Sequence, residues 1–234
     1  MNNKKNRSFS IVIPVFNESQ NIINLIKEIN LSIDKKYTYE IVIVNDSSND
    51  DTEELLLKYN SIYKFTLIKN KKNMGQSFSI HLGIKNSLFD HIITIDGDGQ
   101  NNPRDINNLL QIYFRDHYSL VGGIREKRKD TVTKRITSIF ANKIRNYILK
   151  DGCPDTGCSL KVFEKSIFLN FPYFNGVHRF LPALFKGYGN ETFFVNVDHR
   201  QRVIGKSNYG TFDRFFKGVR DIIKVIKILK KVKK

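Results

Sequence analysis

The sequence predicts an α/β fold, a mostly parallel sheet flanked by helices on both faces. Three observations predict it. Short runs rich in Ile and Val alternate with segments of helical periodicity through the first 120 residues. That β-α-β-α order is the pattern of a parallel sheet with crossover helices. Polar residues and glycines gather just after several of the runs, at Pro14 to Glu18, Asp46 to Asp51 and Asp96 to Gln100. Sheets of this kind bind ligands at the carboxyl ends of their strands.

Each element has its own signal. Phe9–Phe16 is a short apolar run with β-branched residues and reads as the first strand. Basic residues precede it (Lys4, Lys5, Arg7), as in a secretory leader, but the run is short and ends in Asn17-Glu18 with no small-residue cleavage site. Asn21–Ile33 carries Ile22, Leu25, Ile26 and Ile29 at helical spacing. Glu40–Asn45 is a second strand of buried type. Asp50–Tyr59 is a helix with acids in its first turn, and Ser48 or Asn49 is expected to cap it. Phe65–Lys69 is a third strand, Met74–Leu88 a helix and His91–Asp96 a fourth strand. Asn102-Pro103 supplies an N-cap and a first-turn proline for a helix with Ile106, Leu109, Leu110 and Tyr113 on one face. A fifth strand spans about Ser119–Ile124.

The second half is less regular. Thr131–Lys150 is a basic amphipathic helix, with Lys134, Arg135, Lys143 and Arg145 opposite its Ile, Val and Phe residues. Asp155–Glu164 is a turn leading into a strand, Val177–Lys186 a helix and Glu191–Asp198 a strand. Thr211–Lys234 is a second basic amphipathic helix. No repeat or flexible linker interrupts the chain, so one domain over residues 1–234 is expected, divided at 1–125, 126–210 and 211–234.

Lys and Arg total 39 against 23 Asp and Glu, a formal charge of +16. That charge implies a polyanionic partner: nucleic acid, an anionic membrane or a phosphate-rich substrate. Many of the basic residues fall on the two amphipathic helices and no nucleic-acid motif is present, so nucleic acid is not an expected partner. Basic amphipathic helices suit an anionic membrane interface. No run approaches the ~18 apolar residues of a membrane span. The expected place is therefore the cytoplasm, peripheral to the cytosolic face of a membrane, with a separate membrane-anchoring protein as a hypothesised partner. Cys153 and Cys158 form a single C-x4-C pair, which suits two reduced thiols better than a zinc site or a disulfide framework.

The strongest chemical signal is Ile95-Asp96-Gly97-Asp98-Gly99-Gln100. A turn lets two acids two apart face one cavity, and the glycines make the turn cheap and admit a bulky ligand. Hard oxygen ligands of this kind suit Mg²⁺ or Mn²⁺, completed by substrate phosphates, and Gln100 can add a carbonyl oxygen. Asp46, ahead of the capping cluster, is placed to accept hydrogen bonds from a base N–H.

These residues resemble family 2 glycosyltransferases of the GT-A fold, especially dolichol-phosphate mannose synthase and bacterial polyprenyl-phosphate glycosyltransferases. The resemblance rests on P-x-x-N-E at Pro14, Asn17 and Glu18, and D-x-S-x-D-x-T at Asp46, Ser48, Asp50 and Thr52. It continues in N-x-G at Asn73-Met74-Gly75, D-x-D-x-Q at Asp96, Asp98 and Gln100, and G-x-R at Gly123-Ile124-Arg125. Later matches are Asp155-Thr156-Gly157 and Arg202 with Gly205 to Tyr209. Asn45 stands where the family often has Asp, and Gly97 and Gly99 where mannose synthases usually have Ala and Leu.

The resemblance implies a nucleotide-sugar donor, GDP-mannose or a UDP-hexose, and a polyprenyl-phosphate acceptor, with inversion at the anomeric carbon. Pro14, Asn17, Glu18 and Asp46 would bind base and ribose. Asp96, Gly97, Asp98 and Gln100 would meet the donor diphosphate, with Asp96, Asp98 and Gln100 as metal ligands. Arg202 and Lys206 would neutralise phosphates. Arg125, Arg135 and Ser138 would face the acceptor phosphate. Asp98, Arg125 and Asp155 are the catalytic candidates, with Asp155 the choice for a base if one is used. The alternative is transfer to a saccharide or protein hydroxyl, which needs a base near the acceptor. His178 and His199 read as loop or packing residues.

Overall fold

A computed structural model describes residues 7–126, 142–201 and 211–232. Seven strands form one sheet: β1 (Ser8–Val15), β2 (Thr38–Asn45), β3 (Thr66–Lys69), β4 (His91–Thr94), β5 (Leu120–Arg125), β6 (Lys161–Glu164) and β7 (Thr192–Val197). The helices are α1 (Ile22–Ser32), α2 (Thr52–Tyr63), α3 (Gln76–Lys85), α4 (Asp105–Asp116), α5 (residues 142–149), α6 (Lys165–Leu169), α7 (Leu181–Gly187) and α8 (Thr211–Val232). Strand order is β3-β2-β1-β4-β6-β5-β7. All pairings are parallel except those of β6, which runs antiparallel between β4 and β5. The predicted α/β class and five N-terminal strands are present.

Both faces of the sheet are covered, which is why its strands are apolar without alternation. Ile11, Ile13, Ile41 and Ile43 point to the side packed by α1, α2 and α4. Val12 and Val42 point to the other, where Ile80 and Ile84 of α3, Phe168 of α6, Leu184 and Phe185 of α7 and Val225 of α8 close the core. Gly83 lets α3 lie tightly on the sheet, since a Cβ there would stand 2.6 Å from Val12 Cγ1.

Local differences from the sequence reading have physical causes. Helix α4 begins at Asp105, after a turn in which Asn102 Oδ1 accepts the Arg104 N–H at 3.2 Å. Asn102 thus bonds an orphan amide, but ahead of the regular helix. Ser48 and Asn49 do not cap α2. Ser48 Oγ accepts the Asn17 N–H at 3.0 Å, and the Asn49 N–H donates to Asn17 Oδ1 at 2.9 Å. The predicted Val177–Lys186 helix divides into a 3₁₀ turn, Val177–Arg179, and α7. Of the predicted Thr131–Lys150 helix, residues 131–141 lie outside the described residues.

Strand β1 pairs β2 on one side and β4 on the other. Chain order reverses there, and open α/β sheets bind ligands at such switch points, outside the carboxyl ends of the strands.

Candidate active site

The β1 and β2 ends are knitted into one rim. Asn17 and Ser47 both take left-handed backbone, with φ of 57° and 61°. Asn tolerates that region better than most residues. Beyond the two Asn17 bonds, the Glu18 N–H donates to Thr52 Oγ1 at 2.9 Å, and Glu18 Oε2 accepts from Asn21 Nδ2 at 2.8 Å. Pro14 is the penultimate residue of β1.

Asp46, buried at the end of β2, is the organiser of the next loop. Its Oδ1 accepts from Asn70 Nδ2 at 2.6 Å and from the Met74 N–H at 2.8 Å, and its Oδ2 from the Gly75 N–H at 2.8 Å. The N-x-G signal in the sequence is therefore the segment that wraps this carboxylate. Gly75 is required by its φ of 87°. A carboxylate oxygen carries two lone pairs, so Oδ2 retains capacity for one further donor such as a base N–H.

Asp96 follows β4 after one residue, Ile95, at the switch point. Its N–H donates to Ser159 Oγ at 3.2 Å, and its Oδ1 accepts from Gln76 Nε2 at 2.7 Å. Gly97 presses on the end of β1, where a Cβ would stand 2.7 Å from Val15 Cγ1 and 3.3 Å from the Pro14 carbonyl oxygen. Gly99 turns the chain at φ 71°. Asp98 Oδ1 accepts the Gln100 N–H at 3.1 Å, and Gln100 Nε2 reaches the Arg200 carbonyl at 3.4 Å.

Burial and the neighbouring Asp98 charge push the Asp96 carboxyl up to about 6. Two acids held together at partial burial repel until a cation or a proton joins them. The donor set thus fits a divalent ion of the Mg²⁺ or Mn²⁺ kind, with substrate phosphates completing its shell. Among the described residues there is no cluster of three or more His, Cys, Asp or Glu placed to hold a metal.

A stability test follows. Asp96 binds its proton more tightly in the folded chain than its ordinary value of 3.8 allows. Its contribution to stability is present below that value and lost as pH rises to about 6. In chelator, Asp96→Asn should therefore gain on the parent protein as pH rises through that window. Urea unfolding of both proteins across the window checks this, and a constant difference would refute it.

Across the same edge, at the end of β5, Arg125 and Asp155 form a bidentate pair. Arg125 Nε and Nη2 meet Asp155 Oδ2 and Oδ1, each at 2.7 Å, and the Arg125 N–H lies 3.3 Å from Oδ2. Their side chains are only 15% and 7% exposed. Gly157 makes room, since a Cβ there would stand 2.7 Å from Arg125 Nη2.

The structure thus brings Pro14, Asn17, Glu18, Asp46, Asp96, Gly97, Asp98, Gln100, Arg125 and Asp155 to one edge of the sheet. Arg135, Ser138, Arg202 and Lys206 lie outside the described residues. His178 Nδ1 bonds Ser77 Oγ at 2.7 Å, and His199 is buried and itself forms the β-bridge to Asn101. Several contributors escaped the sequence reading. Gln76 and Ser159 hold Asp96, and Asn70 holds Asp46. Arg145, expected on a polar helix face, is buried. Only Gln76 had a nearby signal, standing next to the N-x-G segment.

Comparison with known proteins agrees with this architecture. The dodecaprenyl-phosphate galacturonate synthase of Rhizobium johnstonii is 30% identical over 223 residues, covering 93% of this chain and 66% of that protein. The undecaprenyl-phosphate 4-deoxy-4-formamido-L-arabinose transferase of Pseudomonas savastanoi pv. phaseolicola is 31% identical over 203 residues, covering 86% of this chain and 60% of that protein. The chain spans less than two thirds of the length of these relatives. Among solved structures, glucosyl-3-phosphoglycerate synthase of Mycobacterium tuberculosis, in complex with Mn²⁺, uridine diphosphate and glucosyl-3-phosphoglycerate, superposes with a TM-score of 0.70 at 17% identity. It covers 94% of this chain and 78% of that one, a likeness of fold. The family model for glycosyl transferase family 2 matches residues 10–170, and the chain belongs to that family, on the GT-A fold.

Proposed function

We propose that this protein is an inverting glycosyltransferase that moves a sugar from a nucleotide-sugar donor to a polyprenyl phosphate at the cytosolic face of a membrane. The observation that carries the reading is the pairing of two charged sites at one sheet edge, the first cation-directed and the second anion-directed. One is the Asp96–Asp98 turn at the switch point. The other is Arg125, locked in orientation by Asp155. The names of the relatives support a polyprenyl-phosphate acceptor.

The chain's residues divide the work. The Asn17 rim and Asp46 hold the nucleoside, and Asp46 also fixes the loop leading into α3. Asp96 and Asp98, with Gln100 beside them, would hold Mg²⁺ or Mn²⁺ against the donor diphosphate. A bound divalent ion supplies neutralisation of charge on the departing nucleotide. Arg125 presents positive charge to the incoming acceptor phosphate and orients its oxygen for attack. Arg135 and Ser138 are proposed partners in that grip, and Arg202 and Lys206 are proposed for the donor phosphates. A phosphate monoester is already ionised at pH 7, so no base has to remove a proton. That suits Asp155, whose two oxygens both serve Arg125. A hydroxyl acceptor would need such a base.

Helices α5 and α8 support docking to an anionic membrane. Val225 of α8 is fully buried, yet Val219 and Ile223 are 44% and 49% exposed, and Lys224, Lys227, Lys230 and Lys231 are exposed as well. Tyr147 of α5 is 86% exposed, beside exposed Ile144 and Ile148. No helix among the described residues is long and apolar enough to cross a membrane. Polybasic attraction adds about 1 kcal/mol per basic residue at such a surface. Vesicles containing phosphatidylglycerol should therefore bind the protein, and Ile223→Glu should weaken binding about tenfold. Failure of the parent protein to bind would leave a separate anchoring protein as the route to the membrane.

The deciding experiment is transfer from labelled nucleotide sugars to undecaprenyl phosphate with Mg²⁺ or Mn²⁺. The panel holds GDP-mannose, UDP-hexoses, a UDP-uronic acid and a UDP-formamidopentose. Labelled lipid from one donor establishes the reaction and names the sugar. Donor hydrolysis with no labelled lipid refutes the polyprenyl-phosphate acceptor.

A further inference from the structure

Between α5 and β6 the chain runs through a turn of residues 151–157 that has no regular secondary structure. Such a segment has few backbone bonds of its own to hold it. It nevertheless carries Asp155, whose two oxygens orient Arg125. Something else must fix the turn, and the neighbouring contacts show what does.

Arg145 of α5 is buried to 6% side-chain exposure, and Asp151 beneath it to 0%. Its Nε lies 2.9 Å from Asp151 Oδ2, and its Nη2 donates to Asp151 Oδ1 at 3.2 Å and to the Cys153 carbonyl. Its Nη1 donates to Thr156 Oγ1 at 2.5 Å and to Asn142 Oδ1, on its own helix, at 2.7 Å. One guanidinium therefore grips residues 151, 153 and 156, on both sides of Asp155. A second contact from the same helix, the Gly152 N–H to Asn146 Oδ1 at 2.8 Å, adds to the hold. The fork of an arginine can satisfy three separate acceptors in one plane, which a lysine cannot.

We propose that Arg145 is a positioning residue of the acceptor site. It holds the 151–157 turn, and through Asp155 it aims the guanidinium of Arg125. Arg145 itself touches no substrate. What Arg125 takes rests on the polyprenyl-phosphate reading above. The mechanical link from Arg145 to Arg125 does not.

The test separates the two. Removing Arg145 alone would strand the buried Asp151 charge and could unfold the chain. The variants are therefore Arg145→Lys, which keeps the charge without the fork, and Arg145→Met combined with Asp151→Asn, which removes both charges of the buried pair. Amide hydrogen exchange should quicken about tenfold in residues 151–158 and at the Arg125 amide, with α1, α3 and α4 unchanged. With undecaprenyl phosphate as acceptor, its KM should rise about tenfold while donor KM and metal-dependent donor hydrolysis stay put. A residue that only stabilises the fold would raise exchange everywhere and lower transfer and hydrolysis together, and that result overturns the proposal. So does full parental behaviour in Arg145→Lys. If the parent protein transfers nothing to undecaprenyl phosphate, yet exchange quickens only in those two segments, the acceptor reading fails and the positioning role stands.

Discussion

Asp98→Asn should lower sugar transfer by about 10²–10³-fold, the scale seen when one preorganised electrostatic group is removed from a transition state. The substitution is nearly isosteric. Asparagine Oδ1 can keep the Gln100 N–H, now accepted at 3.1 Å by the carboxylate, so the turn should hold its shape. What disappears is one of the two negative charges proposed to hold the metal against the donor diphosphate. Stability should move the other way. Part of the upward push on the Asp96 carboxyl comes from the Asp98 charge, second to burial. Without that neighbour Asp96 ionises more readily, and the metal-free variant should be at least as stable as its parent at pH 7. Rate and stability measured on one preparation therefore discriminate. Falling transfer with unchanged or higher unfolding midpoint supports an electrostatic role, whereas a parallel fall in both would make Asp98 a structural residue. Affinity for Mn²⁺ with nucleoside diphosphate should drop alongside the rate.

Much of this site was legible because its parts are local. Asp96 to Gln100 announce a turn by their glycines, and the turn lies at a strand end because Ile92 to Ile95 form a buried run. Asp46 and Asn17 fall at strand ends for the same reason, and parallel pairing of β1 with β2 and β4 then brings all three ends together. What escaped depends on contacts between distant segments. That β6 lies antiparallel between β4 and β5 is not written in its four residues, since Val162 and Phe163 would suit any interior strand. Arg145 sits on the basic arc of its helix, and periodicity alone does not show that the 151–157 turn buries it. Helix α8 joins both readings of an amphipathic helix. Val225 belongs to the core, while Val219 and Ile223, a turn apart, face outward. Periodicity reports an apolar stripe, but its width does not say how much of it the rest of the protein will cover.

The Arg125–Asp155 pair gives the second large effect, and it decides whether Asp155 is a base. Asp155→Asn replaces one carboxylate oxygen by an NH₂ that faces an arginine donor, so one of the two 2.7 Å bonds becomes a repulsion. Arg125, largely buried, is left short of its counter-charge. Breaking a buried pair on one side costs about 3–5 kcal/mol, and the partial exposure of Arg125 places this case at the lower end. Acceptor KM should rise at least tenfold as the guanidinium loses its orientation, since misplacing a binding group by about 1 Å can cost 10²-fold. Donor hydrolysis should persist in whatever fraction remains folded. A general base behaves differently. Its loss would reduce kcat with the fold intact, and the acidic limb of the pH–rate profile would vanish in the variant. Arg125→Lys sharpens the comparison, because lysine keeps the charge but cannot bond both carboxylate oxygens in a fork. If Asp155 serves Arg125, the lysine variant reproduces the rise in acceptor KM. If Asp155 removes a proton, that variant keeps the acidic limb that Asp155→Asn loses. A phosphate monoester has its own second ionisation near pH ~6 and so leaves an acidic limb in every variant; the diagnostic is therefore whether Asp155→Asn, and not Arg125→Lys, removes a limb that the parent shows.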